Sequence, residues 1–307
     1  MVAQAAGAER VKRVLITGGN TGIGFETAKS LCAKGWEVTL ACRDKGRAAA
    51  AVASIKEQQP GAQVSSLNLD LANLASVKAA ASSLVDTGCA DFDVLLNNAG
   101  VMATPKMKTQ DGFDFQLGVN HLGHFALTLL LLPAMLKAEK PVRIINVSSA
   151  AHTMGSIKFD DLNRDKPGAY SPWEAYGQSK LANILFTYEL ARRLKDYPQV
   201  TVNCLHPGVV RTELGRYMVN SSNQMWMGPA IYLASFLFKT PQQGAQTSIY
   251  LASSPDVANT TSKYFVDCKA VASSRASHDA SVAARLWEYS AALTKVPADI
   301  LQPAKVA

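Results

Sequence analysis

The sequence predicts an α/β fold, a single domain built on a doubly wound parallel sheet with an extended loop. Three observations predict it. Short apolar runs alternate with helical stretches along most of the 307 residues, the order that builds βαβ units and a parallel sheet. A glycine-rich turn joins the first strand to the first helix. No low-complexity linker or repeat divides the chain, so one domain is expected although the length alone fits about two at roughly 150 residues each.

The elements follow in order. Val11–Thr17 reads as a buried strand, and a helix runs from about Ile23 to Lys34. Trp36–Ala41 is a second strand, and an Ala-rich helix from Lys45 to Gln58 is stopped by Pro60-Gly61. Gln63–Leu67, Phe92–Leu96, Pro141–Ser148 and Val200–Leu205 are further strands, with a short last one at Lys263–Val266. Helices are predicted over Asn73–Val85, Asp111–Lys137, Trp173–Lys195 and Pro241–Ala252. Residues 1–10 are expected to be a flexible N-terminus, 11–295 the α/β domain with a long loop at 211–240, and 296–307 a C-terminal tail.

Composition excludes other classes. At 48% hydrophobic and 18% charged residues, the chain is not intrinsically disordered. The net charge of +7 is scattered, with Arg192-Arg193-Lys195 the densest cluster, so no nucleic-acid stripe is indicated. Five cysteines without a CxxC pair suggest neither a disulfide framework nor zinc, and a reducing intracellular compartment is expected. No run reaches the roughly 20 apolar residues of a bilayer span.

Thr17-Gly18-Gly19-Asn20-Thr21-Gly22-Ile23-Gly24 forms the turn. Its glycines let a pyrophosphate approach the backbone, and the helix N-terminus behind it offers free N–H groups and partial positive charge. At the end of the second strand, Leu40-Ala41-Cys42-Arg43-Asp44 puts a cation, Arg43, where NADP needs a partner for its 2′-phosphate. Asp44 is read as the cap of the next helix. Tyr176 and Lys180 lie four apart, on one helical face, and a neighbouring lysine favours the phenolate and lowers its pKa. Ser148-Ser149, Asn97-Asn98-Ala99-Gly100 and Asn120 fall at or near the carboxyl edge of the same sheet, where such folds bind ligands.

These motifs, with His206-Pro207-Gly208, resemble the short-chain dehydrogenases/reductases from about Val11 to Thr294, and the fold implied is the Rossmann fold. Phe25–Lys29, Val119–Phe125, Ser179–Phe186 and Lys239–Ala245 look most like the retinol dehydrogenases and the WW-domain-containing oxidoreductase. Protochlorophyllide reductase and the chloroplast-envelope dehydrogenase are similar relatives. The resemblance implies that Tyr176 is the general acid/base, that Lys180 lowers its pKa and holds the nicotinamide ribose, that Ser149 (the second of the pair) polarises a carbonyl, and that Asn120 completes a proton relay. It implies a cofactor set of Gly18, Asn20, Thr21, Gly22, Ile23, Gly24, Arg43, Asp70, Leu71, Asn98, Ala99, Gly100, Tyr176, Lys180, Pro207, Gly208, Val210 and Thr212.

The substrate side is expected to include Ser149, Tyr176, His152 and Trp173, with Tyr170 adding to a second wall. Met225–Phe238 carries no charge and suits a lid, a peripheral membrane contact or a helix packed on the core. His121 and His124 are expected to be satisfied helix histidines, and no metal is implied. The function expected is NADP(H)-dependent hydride transfer to and from the carbonyl of an apolar, retinoid-like substrate. The alternatives are C=C reduction as in protochlorophyllide reductase and NADP(H)-sensing control of a partner, as in the chloroplast-envelope relative. A homodimer through the His121–Lys137 and Trp173–Lys195 helices is implied by the resemblance, and cytoplasm or chloroplast, with membrane association, is the expected compartment.

Overall fold

The structure, a computed structural model, describes residues 10–210 and 238–299. Eight strands among them form one sheet: β1 (Arg13–Thr17), β2 (Glu37–Cys42), β3 (Val64–Asn68), β4 (Val94–Asn97), β5 (Val142–Val147), β6 (Val200–His206), β7 (Tyr264–Val266) and β8 (Lys269–Val271). Their order is β3-β2-β1-β4-β5-β6-β7-β8. All pairings are parallel except the last hairpin. The hairpin and its antiparallel β8 escaped the sequence reading because β8 is only three residues long and wholly exposed. The chain reverses its direction of winding between β1 and β4, which opens the crevice at their carboxyl ends.

Alternate residues of each central strand serve opposite faces, and both faces are buried, as a parallel sheet requires. Val14, Ile16, Val38, Leu40, Leu96 and Ile145 pack beneath α1 (Gly22–Cys32), α2 (Lys45–Gln58) and α6 (Pro241–Ser253). Leu15, Leu95, Ile144 and Val202 pack beneath α3 (Leu74–Asp86), α4 (Phe115–Lys137) and α5 (Pro172–Arg193).

Helix α4 starts four residues later than its apolar pattern suggests. Thr109–Gly112 turn back on themselves, with Gly112 at φ 82°, and Asp114 caps the helix by accepting from the Leu117 N–H at 2.8 Å. Residues Gly118–Leu122 are wound as a π-turn, which no periodicity announces. An 18-residue window of this helix is apolar enough to cross a bilayer, contrary to the expectation from run length, but 78% of that window is buried inside the protein. It is therefore the central core helix of this fold.

A last helix, α7 (Ala280–Thr294), was absent from the predicted elements. It lies against α4 and α5. Trp287 packs edge-on to Phe125 at 5.1 Å and tilts against Phe186 at 6.0 Å, and Ser290 bonds the His121 ring at 2.8 Å. The expected C-terminal tail is also partly docked: Val296 is buried in the same core, and the Ala298 carbonyl accepts from the Trp287 indole at 3.3 Å. At the other end Arg10 is ion-paired with Asp93, and residues 1–9 lie outside the described residues. Trp287→Ala should cost about 3–5 kcal/mol of stability, the usual range for emptying a buried aromatic site; urea denaturation of both proteins measures it.

Candidate active site

The carboxyl edges of β1 and β4 are bound together by side chains. Thr17 Oγ1 accepts from the Asn98 and Ala99 N–H groups, both at 2.9 Å. The Asn98 amide donates back to the Thr17 and Gly18 carbonyls at 2.8 and 3.3 Å. Gly18 sits at φ 65°, and a Cβ there would lie 2.9 Å from Ala99 Cα. A Cβ on Gly24 would come within 2.5 Å of the Gly18 carbonyl. The turn is therefore drawn tight against the sheet.

Helix α1 then begins without a side-chain cap at Thr21 and without an acid in its first turn. By contrast α2, α3, α6 and α7 are capped by Asp44, Asn73, Thr240 and Asp279. An uncapped helix start behind a glycine turn leaves donors for an anion, so these residues fit a dinucleotide's pyrophosphate.

At the end of β2 Asp44 accepts from the Arg47 N–H at 3.0 Å, so it caps α2 as predicted. Arg43 is exposed beside it. The Cys42 thiol is raised by burial, opposed by the amides of Gly19 and Asn20 and by the charge of Arg47. A second guanidinium, Arg47, thus lies near this end of the turn; sequence reasoning missed it because the spacing rule looks only at the strand end.

The middle of the edge gathers the four polar residues singled out from sequence. Tyr176 and Lys180 are both 3% exposed on α5, with the lysine Nζ 5.7 Å from the tyrosine ring centre. Lys180 Nζ donates to the Val147 carbonyl at 3.1 Å, and it lies so close to Gly100 that a Cβ there would be 3.4 Å away. Ser148 is buried and gives its hydroxyl to the Lys180 carbonyl at 2.7 Å. Ser149 instead accepts the Ala151 N–H at Oγ, 3.2 Å away, and its side chain is near enough to the Tyr176 phenol to pull its pKa down. Asn120 sits in the π-turn. Its side chain spans the Val101 N–H and carbonyl at 2.8 and 2.9 Å and donates to Ser179 Oγ at 2.9 Å.

Burial dominates the electrostatics here. It pushes the Tyr176 phenol up to about 12, against the pull of Ser149, and the Lys180 ammonium down to about 8. The phenol expected to be depressed by its lysine is therefore raised in the protein chain alone, because desolvation exceeds the pull of Ser149.

The chain as a whole is similar to known proteins. The profile described as short chain dehydrogenase matches residues 12–162. Human retinol dehydrogenase 14 is 47% identical over 91% of this chain and 85% of its own length. The chain belongs to the short-chain dehydrogenase family. Human retinol dehydrogenase 13 is likewise 47% identical, over 94% of this chain and 86% of its own. A solved structure of an uncharacterized protein from Mycobacterium paratuberculosis is 37% identical, with a TM-score of 0.72, over 92% of this chain and 93% of that one.

This short-chain dehydrogenase is accordingly an oxidoreductase of retinol dehydrogenase-like type, from a family that uses a nicotinamide cofactor. These relatives give no support to the C=C reductase or redox-sensing alternatives, or to a chloroplast compartment.

Several residues of this short-chain dehydrogenase do other work than expected. His152 was expected to line the substrate pocket, but it is 3% exposed and both ring nitrogens are engaged. The Leu71 side chain is buried in the core, leaving only its backbone at the edge. Asp70 accepts from the Ala72 N–H at 2.9 Å, and the Asn98 side chain is spent on the turn. Asn97 joins β4 to Thr128 and Asn146 at 3.0 and 2.8 Å.

Burial depresses His121 and His124 to about 3 and 4. His124 is the satisfied helix histidine expected, bonded at both ring nitrogens, whereas His121 bonds Ser290 through Nε2 and leaves its buried Nδ1 without a hydrogen bond among the described residues. His124 donates from Nδ1 to the Asn120 carbonyl at 3.0 Å and meets the Thr17 hydroxyl with Nε2 at 2.8 Å, a link across 107 residues that no motif reveals. Trp173 is 43% exposed and stands edge-on to Tyr176 at 6.2 Å. The Tyr170 hydroxyl donates to the Thr104 carbonyl at 2.8 Å. Gly208 adopts φ 89°, with the Lys239 side chain packed where a Cβ would stand. Pro207 is half-buried beside it, and Val210 faces Gly244 of α6. Thr212 and residues 225–237 lie outside the described residues.

The lysine's low pKa makes stability depend on pH. Between about pH 8 and the ordinary lysine value, the unfolded chain holds a proton that the folded chain has lost, so stability rises with pH across that window. Chemical denaturation at pH 7.5 to 10 should show this rise in the wild type, and Lys180→Met should flatten it.

Proposed function

We propose that this chain is an NADP(H)-dependent oxidoreductase that interconverts an apolar aldehyde or ketone with its alcohol, a retinoid-like carbonyl being the model substrate. The observation that carries the reading is the grouping of Ser149, Tyr176, Lys180 and Asn120 at the carboxyl edge, beside a glycine turn whose helix start is uncapped. The bound nicotinamide supplies the hydride in reduction and accepts it in oxidation.

The chain's own groups do the rest. Ser149 Oγ accepts the Ala151 N–H at 3.2 Å, and its one hydroxyl proton serves the Tyr176 phenol in the chain alone and would turn to the substrate oxygen when a carbonyl is bound. Tyr176 holds its proton at neutral pH and is poised to give it to that oxygen as the carbonyl carbon is reduced. Lys180, buried against the same helix turn, favours the phenolate left behind and holds the nicotinamide ribose. Asn120, fixed to Val101 and Ser179, keeps the π-turn open beside Lys180 and completes the proton path.

Arg43, with Arg47 near it, supports NADP over NAD, because a guanidinium grips a phosphate with several bonds. The backbone of Asp70, Leu71, Asn98, Ala99 and Gly100 would flank the adenosine half, and Pro207, Gly208, Val210 and Thr212 the nicotinamide half. An apolar substrate is supported by Trp173, Met154 and Val209, which are 43%, 60% and 61% exposed and follow directly on site elements. Exposed apolar side chains of this kind beside the site suit a bulky apolar ligand. A homodimer through α4 and α5 would have to form around α7, which covers Phe125 and Phe186. The free thiols of Cys32, Cys42, Cys89, Cys204 and Cys268 suit a reducing compartment.

Tyr176→Phe should retain NADPH binding, measured by fluorescence, while losing about 10²- to 10⁴-fold in turnover of apolar aldehydes. Unchanged turnover would remove Tyr176 from the mechanism. Arg43→Gln should raise the KM for NADPH by about 10- to 100-fold, as expected for losing a charged hydrogen bond, while leaving that for NADH nearly unchanged; steady-state kinetics with both cofactors check it.

A further inference from the structure

We propose that His152 is a positioning residue for Ser149, held in one tautomer by the C-terminal segment; the proposal rests on the oxidoreductase reading above. Ser149 opens a single turn of 3-10 helix, Ala150–Met154, and its carbonyl accepts the His152 backbone N–H at 3.1 Å. The same carbonyl accepts from His152 Nδ1 at 2.7 Å. The far ring nitrogen, Nε2, accepts the Ser274 N–H at 3.0 Å, a contact that crosses 122 residues of chain.

A backbone N–H can only donate and a carbonyl can only accept, so the two partners leave one arrangement: a neutral ring with its proton on Nδ1. Burial lowers the ring's pKa and agrees with that neutral state. The Tyr264 ring packs against the imidazole at 5.1 Å and fixes its plane. His206 is the other titratable group facing it, and it too is depressed by burial.

The imidazole is thus a strut between the carbonyl of Ser149 and the loop that enters the turn Arg275–His278 just before α7. Ser149 has to point one hydroxyl at Tyr176 and a substrate oxygen together, and small displacements of such a group are costly to the rate. The segment after β8 therefore sets the geometry of a residue at the end of β5 without touching the substrate.

Two variants test this. His152→Phe keeps the ring's bulk and removes both bonds. Ser274→Pro removes only the N–H that selects the tautomer, at a residue whose φ of −60° proline shares. With NADPH and an apolar aldehyde, His152→Phe should lower kcat by about 10- to 100-fold and Ser274→Pro by a smaller factor, with the NADPH Kd unchanged in both. A fall in NADPH affinity that matches the fall in kcat, or full kcat in His152→Phe, overturns the proposal.

Two readouts need no turnover. Histidine 15N NMR of the wild type should place the His152 proton on Nδ1 across pH 6–8 and show a tautomer mixture in Ser274→Pro. With 13C-labelled tyrosine, the Tyr176 titration midpoint should rise in His152→Phe, because the Ser149 bond that favours the phenolate is displaced; an unchanged midpoint or an Nε2 proton overturns the proposal. If the wild type binds NADPH but reduces no carbonyl, the functional reading fails while these two readouts still decide the role of His152.

Discussion

The Thr17 hydroxyl accepts two backbone N–H groups from the chain after β4, and Asn98 returns two bonds to the chain after β1. These bonds hold together the pair of strands between which the winding reverses. The glycine turn can pass over Ala99 only because Gly18 has no side chain, and α1 starts where it does because Gly24 lies against the Gly18 carbonyl. Through His124 the same hydroxyl is tied to the carbonyl of Asn120. One threonine therefore places the phosphate end of the crevice and the π-turn of the chemical end in a single frame. Buried hydrogen bonds of this kind are expensive to leave unmade, which makes the frame rigid.

Burial is the second determinant. Tyr176 and Lys180 are carried on a helix with the sheet on one side and α7 packed against it on another. In that setting the tyrosine keeps its proton and the lysine gives its own up easily, the reverse of what their mutual attraction alone would do. The pair is tuned by what surrounds it, including Ser149 at the phenol and the Val147 carbonyl at the ammonium. The C-terminal segment adds to that surrounding twice, by covering the aromatic face of α4 and α5 and by holding the loop that reaches His152.

Much of this could be read from the sequence where the signal is local. The parallel sheet followed from alternation of element types, Asp44 was legible as a cap from its place before Lys45, and Ser149 was preferred to Ser148 by resemblance. The rest depends on contacts distant in sequence. The π-turn at Asn120 has no period of its own. His152 looked like a pocket residue because it follows Ser149, and only the fold reveals Ser274 on its other nitrogen. Helix α7 did carry a signal that was passed over, an Asp279 cap followed by apolar residues at Ala283, Leu286, Trp287 and Ala291. The pKa shifts depend on desolvation, which spacing cannot report.

The central claim is that this edge moves a hydride between a nicotinamide and an apolar carbonyl carbon, with Tyr176 handling the proton. The most direct measurement is single-turnover reaction with NADPH deuterated at the transferring position and a retinoid-like aldehyde, followed by mass analysis of the alcohol. The account predicts one deuterium on the former carbonyl carbon in the wild-type product and a slowed but equally labelled product in Tyr176→Phe. An alcohol that carries no deuterium, or NADPH that binds and remains unoxidised across a panel of apolar aldehydes and ketones, would contradict it.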